Sequence, residues 1–378
     1  MTIHWCGTGL SSVPGLRRLI EAGHPVCVWN RSLDKAQSAV GDLTDQIKPF
    51  TFDTLSAEVD EGDIVVSMLP GDWHARIAEM CINKAAHFVS SSYIAPEMRA
   101  LDGKALVRGV ACVNEIGLDP GIDHLMAHHL MAEYRASPAF DAGNDLSFLS
   151  YCGGIPKHPN PFRYKFSWSP LGVLKALRSP SRSIRNYSEL TIQRPWDAIT
   201  SYQAPLPAPE TFEVYPNRDS LPFLADYGFE PQWRVKEFVR GTLRLGGWTE
   251  AWSDVFSEIE QLDGPEGETR LQEMSDQLWT ENAYDKGEPD RVVLCVDLKA
   301  ERDGAPVWHK TYVMDAWGDA RGTAMARLVS VPVALAVEAV LAHEIPAGVT
   351  PAPRDPKLVA RFLSEVDRLA QHLQVVTH

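Results

Sequence analysis

The sequence predicts an α/β fold: a parallel-sheet domain built of βαβ units, then a second, mixed α/β domain with a small helical part. Three observations predict it. Strand-like and helix-like segments alternate over the first 120 residues, the pattern of βαβ units. A glycine turn, Gly7-Thr8-Gly9, lies between the first strand and the first helix. Beyond residue 147 the chain becomes rich in proline and aromatic residues, and further on two strand-like runs face each other across Asp303-Gly304.

In order, Thr2 to Cys6 predicts a short strand and Val13 to Glu21 an amphipathic helix closed by Gly23. His24 to Trp29 is a second strand, and Ser32 can cap a helix over Leu33 to Val40. A strand at Asp63 to Met68 follows the Glu61-Gly62 turn and stops before Pro70. A helix over Trp73 to Asn83, a strand over Ala86 to Ser90, a helix over Ala95 to Ala105 and a strand over Val110 to Asn114 complete the alternation. In the middle, residues 147–152 and 188–193 predict strands and Leu171 to Leu177 a short helix. Trp248 to Leu262 and Glu266 to Trp279 predict helices, and Arg291 to Ala300 pairs with Val307 to Met314 as a hairpin. Helices over Ala324 to His343 and Pro356 to Leu373 follow. The expected division is a first domain over residues 1–120, completed by C-terminal helices at 345–378, and a second over 121–344 with a helical insertion at 165–290.

The balance of 36 basic against 50 acidic residues gives a net charge of −14. That field disfavours nucleic acid and anionic membranes, which reward basic surfaces. It also requires that any anionic small molecule be met by a local cluster of cations. No run approaches the roughly 18 apolar residues of a membrane helix. The N-terminus enters a strand without a charged leader, so a cytoplasmic location is expected. The six cysteines are scattered with no CxxC pair, and HExxH is absent; free thiols and no metal site are expected.

Glycines at positions 7 and 9 suit a backbone that turns sharply and lets a pyrophosphate approach the N–H groups at a helix N-terminus. A plain tight turn is the alternative, since the third fingerprint position is Ser12. The second strand ends in Asn30-Arg31-Ser32 rather than in an acid. A carboxylate there would accept from ribose hydroxyls and repel a 2′-phosphate, whereas a guanidinium grips phosphate oxygens. This favours NADP over NAD; a solvated loop arginine at position 31 is the alternative, and it would leave the choice open. The expected cofactor-binding residues are Gly7, Gly9, Leu10, Ser12, Asn30, Arg31, Ser32, Leu69 and Pro70, forming a Rossmann-type site.

Asn114-Glu115-Ile116-Gly117-Leu118-Asp119-Pro120-Gly121-Ile122-Asp123-His124 joins a strand to a helix, where open α/β sheets bind ligands. With Val89 to Tyr93, Ser150 to Pro156, Tyr164 to Pro170, Tyr215 to Ser220 and Arg240 to Arg244, it resembles the saccharopine reductases, the glutamate-forming saccharopine dehydrogenases. The resemblance spans residues 1 to about 250 and, more faintly, the helix around Ala324 to His343. It departs at Ser12, at Lys157 to Asn160, at Arg163 and over 262–290.

That resemblance implies an NADP-dependent exchange of saccharopine, NADP and water with glutamate, 2-aminoadipate semialdehyde and NADPH, within lysine metabolism. It also implies amino-acid substrates and a homodimer. A substrate with three carboxylates needs cations; Arg218 and Arg244 are the expected clamps, with Arg240 nearby and Thr242 adding a hydroxyl. Arg240 and Arg244 share a face on either a helix or a strand. Ser92 and Tyr93 are expected to hydrogen-bond substrate, Asp119 and Asp123 to hold its ammonium or relay a proton, and Cys152 and Gly153 to line its approach. His124 and Lys165 stay open between structural and acid/base roles, so the catalytic residue is not identified. Two rivals remain: an enzyme joining a diamine to an aldehyde, and a non-catalytic NADP-binding regulator.

Overall fold

The computed structural model describes all 378 residues. In chain order the elements begin β1 (Ile3–Cys6), α1 (Val13–Glu21), β2 (Val26–Asn30), α2 (Leu33–Val40), β3 (Ile47–Pro49), α3 (Phe52–Glu58) and β4 (Ile64–Ser67). They continue α4 (His74–Asn83), β5 (His87–Val89), α5 (Pro96–Arg99), α6 (Asp102–Arg108), β6 (Ala111–Val113) and α7 (Ile122–Ala136). Then come β7 (Asp145–Pro156), α8 (Pro170–Leu177), β8 (Ser181–Arg185), β9 (Ser188–Ile192), β10 (Thr200–Ala204) and β11 (Glu210–Pro216). After α9 (Phe223–Asp226) and β12 (Arg234–Leu245) lie α10 (Trp248–Ala251), α11 (Ser253–Ile259), α12 (Gly264–Asn282), β13 (Asp290–Arg302) and β14 (Ala305–Trp317). The last elements are α13 (Ala324–Leu341), β15 (Gly348–Thr350), α14 (Pro356–Leu369) and β16 (His372–Thr377).

One unit comprises residues 1–125 and 326–366, the other 126–325 and 367–378. This division differs from the expected one at three places: residues 121–125 and most of α13 group with the first unit, and β16 with the second.

The first unit holds a parallel sheet in the order β15-β6-β5-β4-β1-β2-β3. Strand order reverses at β1, which lies between β2 and β4, and such a switch point opens a crevice at the carboxyl ends of the strands. β1 and β4 are buried along their whole length, as strands covered on both faces must be. Trp5 and Trp29 are the largest apolar side chains buried there. Ser32 caps α2 as expected, its hydroxyl accepting from the N–H of Lys35.

The second unit holds a mixed sheet in the order β10-β11-β12-β7-β13-β14-β16, with the β8–β9 hairpin attached to β12. Only the β7–β12 pair is parallel. The expected hairpin is present as β13–β14. Beside the sheet, α8 and α10 to α12 form a separate aromatic core around Tyr164, Tyr215, Trp248 and Trp252.

Three expectations are corrected. The helix expected over 95–105 is two, α5 and α6, broken near Leu101. The last helix ends at Leu369 instead of Leu373, because His372–Thr377 pairs with β14. The absence of a long apolar run was also misjudged: α13 is long and apolar enough to cross a membrane, yet 83 % of it is buried inside the protein. It serves as a core helix.

Candidate functional site

The glycine turn is built by sterics. Gly7 has φ +102°, and a Cβ there would lie 2.9 Å from the Met68 carbonyl oxygen. Leu69 packs beside it, while Pro70 opens the next turn. Ser12 locks the loop: its hydroxyl donates to the Gly7 carbonyl at 2.6 Å and accepts from the Trp5 indole at 2.8 Å. The close packing that a third glycine would allow is supplied one turn later. A Cβ on Gly15 of α1 would sit 2.0 Å from the Ser330 carbonyl oxygen of α13, and Ser330 Oγ accepts from the Gly15 N–H at 2.8 Å.

Gly9 faces open space. It lines a cleft of about 820 Å³ with Thr8, Leu10, Val13, Asn30, Arg31, Ser32 and Lys35. Asn30 ties the cleft's two sides together, its Oδ1 accepting from the Thr8 N–H and its Nδ2 donating to the Ser32 carbonyl. No acid ends β2. Arg31 and Lys35 are exposed and form no ion pair, while Asp34 and Lys35 line an adjoining hollow with Thr8. The buried Thr8 hydroxyl has no partner. An unpaired guanidinium, an ammonium and open N–H groups at the start of α1 suit a phosphate-bearing dinucleotide. Of the nine expected residues, Leu10 and Gly9 with Asn30 to Ser32 line the cleft, whereas Gly7, Ser12 and Leu69 shape the turn behind it and Pro70 opens the following turn. Thr8, Val13 and Lys35 were not foreseen; Lys35 one turn into a capped helix was the available signal.

At the ends of β4, β5 and β6 a second polar group forms. His74, 6 % exposed, bridges Ser67 Oγ (3.0 Å from Nδ1) and Ser92 Oγ (2.9 Å from Nε2). Burial lowers its pKa to about 4, so the ring is neutral. Tyr93 donates to Asp119 Oδ1 at 3.2 Å, and both are part-exposed. Asp123 is fully buried, and its Oδ1 accepts from the Gly121 N–H at 2.7 Å. One of its carboxylate oxygens thus engages the loop, and the other lies 3.7 Å from His124 Nδ1. His124 Nε2 lies 3.3 Å from Glu115 Oε2, both buried. The loop's glycines are needed: a Cβ on Gly121 would overlap the Gly117 backbone.

In the second unit Arg240, Thr242 and Arg244 occupy one face of β12, which settles the open choice between helix and strand. Arg244 is 5 % exposed and pairs with no carboxylate. Its guanidinium donates to Tyr215 Oη at 3.1 Å and lies 4.8 Å from the Tyr164 ring centre and 5.3 Å from that of Trp248. Nε of Arg244 and the indole N–H of Trp248 are both buried without an acceptor. Thr242 hydrogen-bonds Tyr215. Arg240 is also buried, its guanidinium 4.0 Å from the Phe223 ring centre. Arg218 is exposed, with φ +56°. Cys152 is 9 % exposed, and Gly153 is squeezed by its neighbour, a Cβ there falling 2.3 Å from the Leu243 carbonyl oxygen. Lys165 pairs with Glu288 at 2.6 Å. Tyr164, Tyr215 and Trp248, unforeseen as site residues, matter because they enclose Arg244.

A parallel sheet with a phosphate-suited turn at its switch point, together with a mixed second sheet, defines a dinucleotide-binding protein of the dehydrogenase class. Residues 3–113 match the family model "Saccharopine dehydrogenase NADP binding domain", and residues 117–369 match "Saccharopine dehydrogenase C-terminal domain". The chain belongs to the saccharopine dehydrogenase family.

It is 36 % identical over 250 residues to saccharopine dehydrogenase [NADP(+), L-glutamate-forming] of Pyricularia oryzae, covering 64 % of this chain and 54 % of the relative. It is 27 % identical over 369 residues to the mitochondrial alpha-aminoadipic semialdehyde synthase of Bos taurus, covering 78 % of this chain and 38 % of that one. The chain thus spans about half the length of its fungal relatives, or less for the larger proteins. Among solved structures it is similar to apo saccharopine dehydrogenase (L-Glu forming) from Saccharomyces cerevisiae, with TM-score 0.82 and 25 % identity over 100 % of this chain and 99 % of that one. A homospermidine synthase from Legionella pneumophila, at 10 % identity and TM-score 0.67, shares the fold, covering 100 % of this chain and 91 % of its own.

Proposed function

We propose that the protein is an NADP-dependent oxidoreductase acting on the CH–NH bond of saccharopine, exchanging saccharopine, NADP and water with glutamate, 2-aminoadipate 6-semialdehyde and NADPH. The observation that carries this reading is Arg244. A guanidinium buried to 5 % exposure without a carboxylate costs several kcal/mol unless an anion from outside completes it. Saccharopine brings three carboxylates.

Bound NADP supplies the hydride chemistry. On the protein's side, Arg31 and Lys35 hold the 2′-phosphate, and Gly9 and the start of α1 hold the pyrophosphate. In the second unit Arg244, Tyr215 and Thr242 fix one substrate carboxylate, with Arg218 as a further cation and Cys152 and Gly153 beside the approach. In the first unit Ser92, Tyr93 and Asp119 offer hydroxyl and carboxylate groups to the polar part of an amino-acid ligand. Asp123, locked in its loop, orients that segment. In the reductive direction the glutamate amine adds to the aldehyde, water leaves, and the resulting imine carbon is reduced. Holding the partners in near-attack geometry offsets roughly 7–11 kcal/mol of barrier.

A homodimer and a cytoplasmic location belong to the same reading. The test is NADPH oxidation with 2-aminoadipate semialdehyde plus glutamate, compared with lysine plus 2-oxoglutarate and with diamine donors. Turnover with the glutamate pair is expected. Turnover with lysine plus 2-oxoglutarate alone overturns the assignment.

A further inference from the structure

On the second unit's sheet, three side chains outside the set used above converge. Asp297 stands on β13, His309 on β14, and His378 directly after β16, its N–H bonded to the His309 carbonyl. The strand order β13-β14-β16 places them on neighbouring strands. His309 Nε2 lies 2.7 Å from Asp297 Oδ2, and His378 Nε2 lies 2.8 Å from Thr311 Oγ1, which itself donates to Asp297 Oδ2. One ligand atom from each of Asp297, His309 and His378 falls within 4.8 Å of the others. Asp297 is the least exposed member, its side chain 13 % accessible, and His378 the most exposed. The cluster borders a hollow of about 430 Å³, which leaves room for further ligands.

The two imidazoles are stacked, with ring centres 4.0 Å apart and planes inclined by 21°. Protonating both would put two positive charges face to face, with one carboxylate to share. Two neutral rings instead present nitrogen lone pairs beside an anionic oxygen, the donor set of divalent transition metals. The other charges bordering the hollow are already engaged. Lys236 and Lys299 both pair with Glu301, and Glu237 pairs with Arg185. Each of these cations has a carboxylate partner, the two lysines sharing that of Glu301.

We propose that Asp297, His309 and His378 form a site for a divalent transition metal of the zinc type, clipping β16 to the β13–β14 hairpin. Each imidazole ligates through Nε2 in its neutral Nδ1–H tautomer; the hydrogens now on His309 Nε2, toward Asp297, and on His378 Nε2, toward Thr311, both move to Nδ1, so neither ring's charge changes. Water completes the coordination. The exposed His378 supplies the small movement that unstacks the rings.

The experiment uses the full chain after treatment with a chelator. Zinc(II) titration by calorimetry is expected to show one site, and cobalt(II) to give visible d–d absorption. Asp297→Asn and His309→Ala should each lower the zinc affinity at least about tenfold, while His343→Ala, a surface histidine elsewhere, leaves it unchanged. Zinc should also slow amide exchange in residues 372–377 of the unmodified chain, a readout that needs no variant. Absence of zinc binding overturns the proposal, as does binding of equal strength in the Asp297 and His309 variants or zinc-independent exchange in β16.

Discussion

Nε2 of His74 lies 2.9 Å from Oγ of Ser92, so a residue opening α4 fixes the hydroxyl at the end of β5. Burial lowers the imidazole's pKa from 6.5 to about 4. In the unfolded chain the ring binds a proton near its ordinary value, so the unfolded state holds more protons between those two limits. This contribution to stability is present above pH 6.5 and is lost as the pH falls through about 4. Urea unfolding at steps across that window should show a declining midpoint, and His74→Gln, which does not titrate, should flatten it. An identical slope in both proteins would show that another group carries the acid sensitivity.

Arg31 pairs with no acid and lines the cleft beside Asn30 and Ser32. Arg31→Ala should weaken NADPH at least about tenfold, equivalent to about 1.4 kcal/mol, while NADH affinity stays the same. Fluorescence titration of the two nucleotides checks this. Equal losses would place the 2′-phosphate elsewhere.

Arg244 separates binding from stability. Arg244→Met removes a buried charge and keeps most of the volume, so the unfolding midpoint should hold or rise. The KM for glutamate or saccharopine should increase by about 100-fold, since a charge-assisted contact contributes about 1.5–3 kcal/mol, with NADPH affinity unchanged. A stable variant with an unaltered KM would remove Arg244 from the substrate.

Gly15 is a packing position. In Gly15→Ala the new Cβ meets the Ser330 carbonyl oxygen at 2.0 Å, and neither backbone can yield easily. A loss of about 1–3 kcal/mol in urea unfolding is expected. Gly9→Ala, which meets nothing within 4 Å, should be far milder for folding and act on cofactor affinity instead.

Legibility followed the range of the forces involved. The α2 boundaries at Leu33 and Val40 could be read because Ser32 caps the helix within one turn. The hairpin across Asp303-Gly304 could be read because its register is set locally. Much of the mixed sheet was missed: β12 gains its partners from β11 and β7, and its own sequence does not separate strand from helix. His372–Thr377 was read as more helix because Leu373 continues the spacing from Leu369, yet the edge of β14 captures it. The helix over Ala324 to His343 is legible in the sequence, but Arg327 and Glu338 interrupt its apolar run and mask a length sufficient to cross a membrane.

The sequence alone determined the alternating first unit, the glycine turn and the missing acid at the end of β2, since each depends on neighbours a few residues apart. Tertiary structure decided that Ser330 presses on Gly15 across 315 positions, that Arg244 is walled in by aromatic rings, and that Asp297, His309 and His378 meet. Burial and partnership arise only when distant strands and helices pack, and it is burial that turns an ordinary arginine such as Arg244 into a group that requires a ligand.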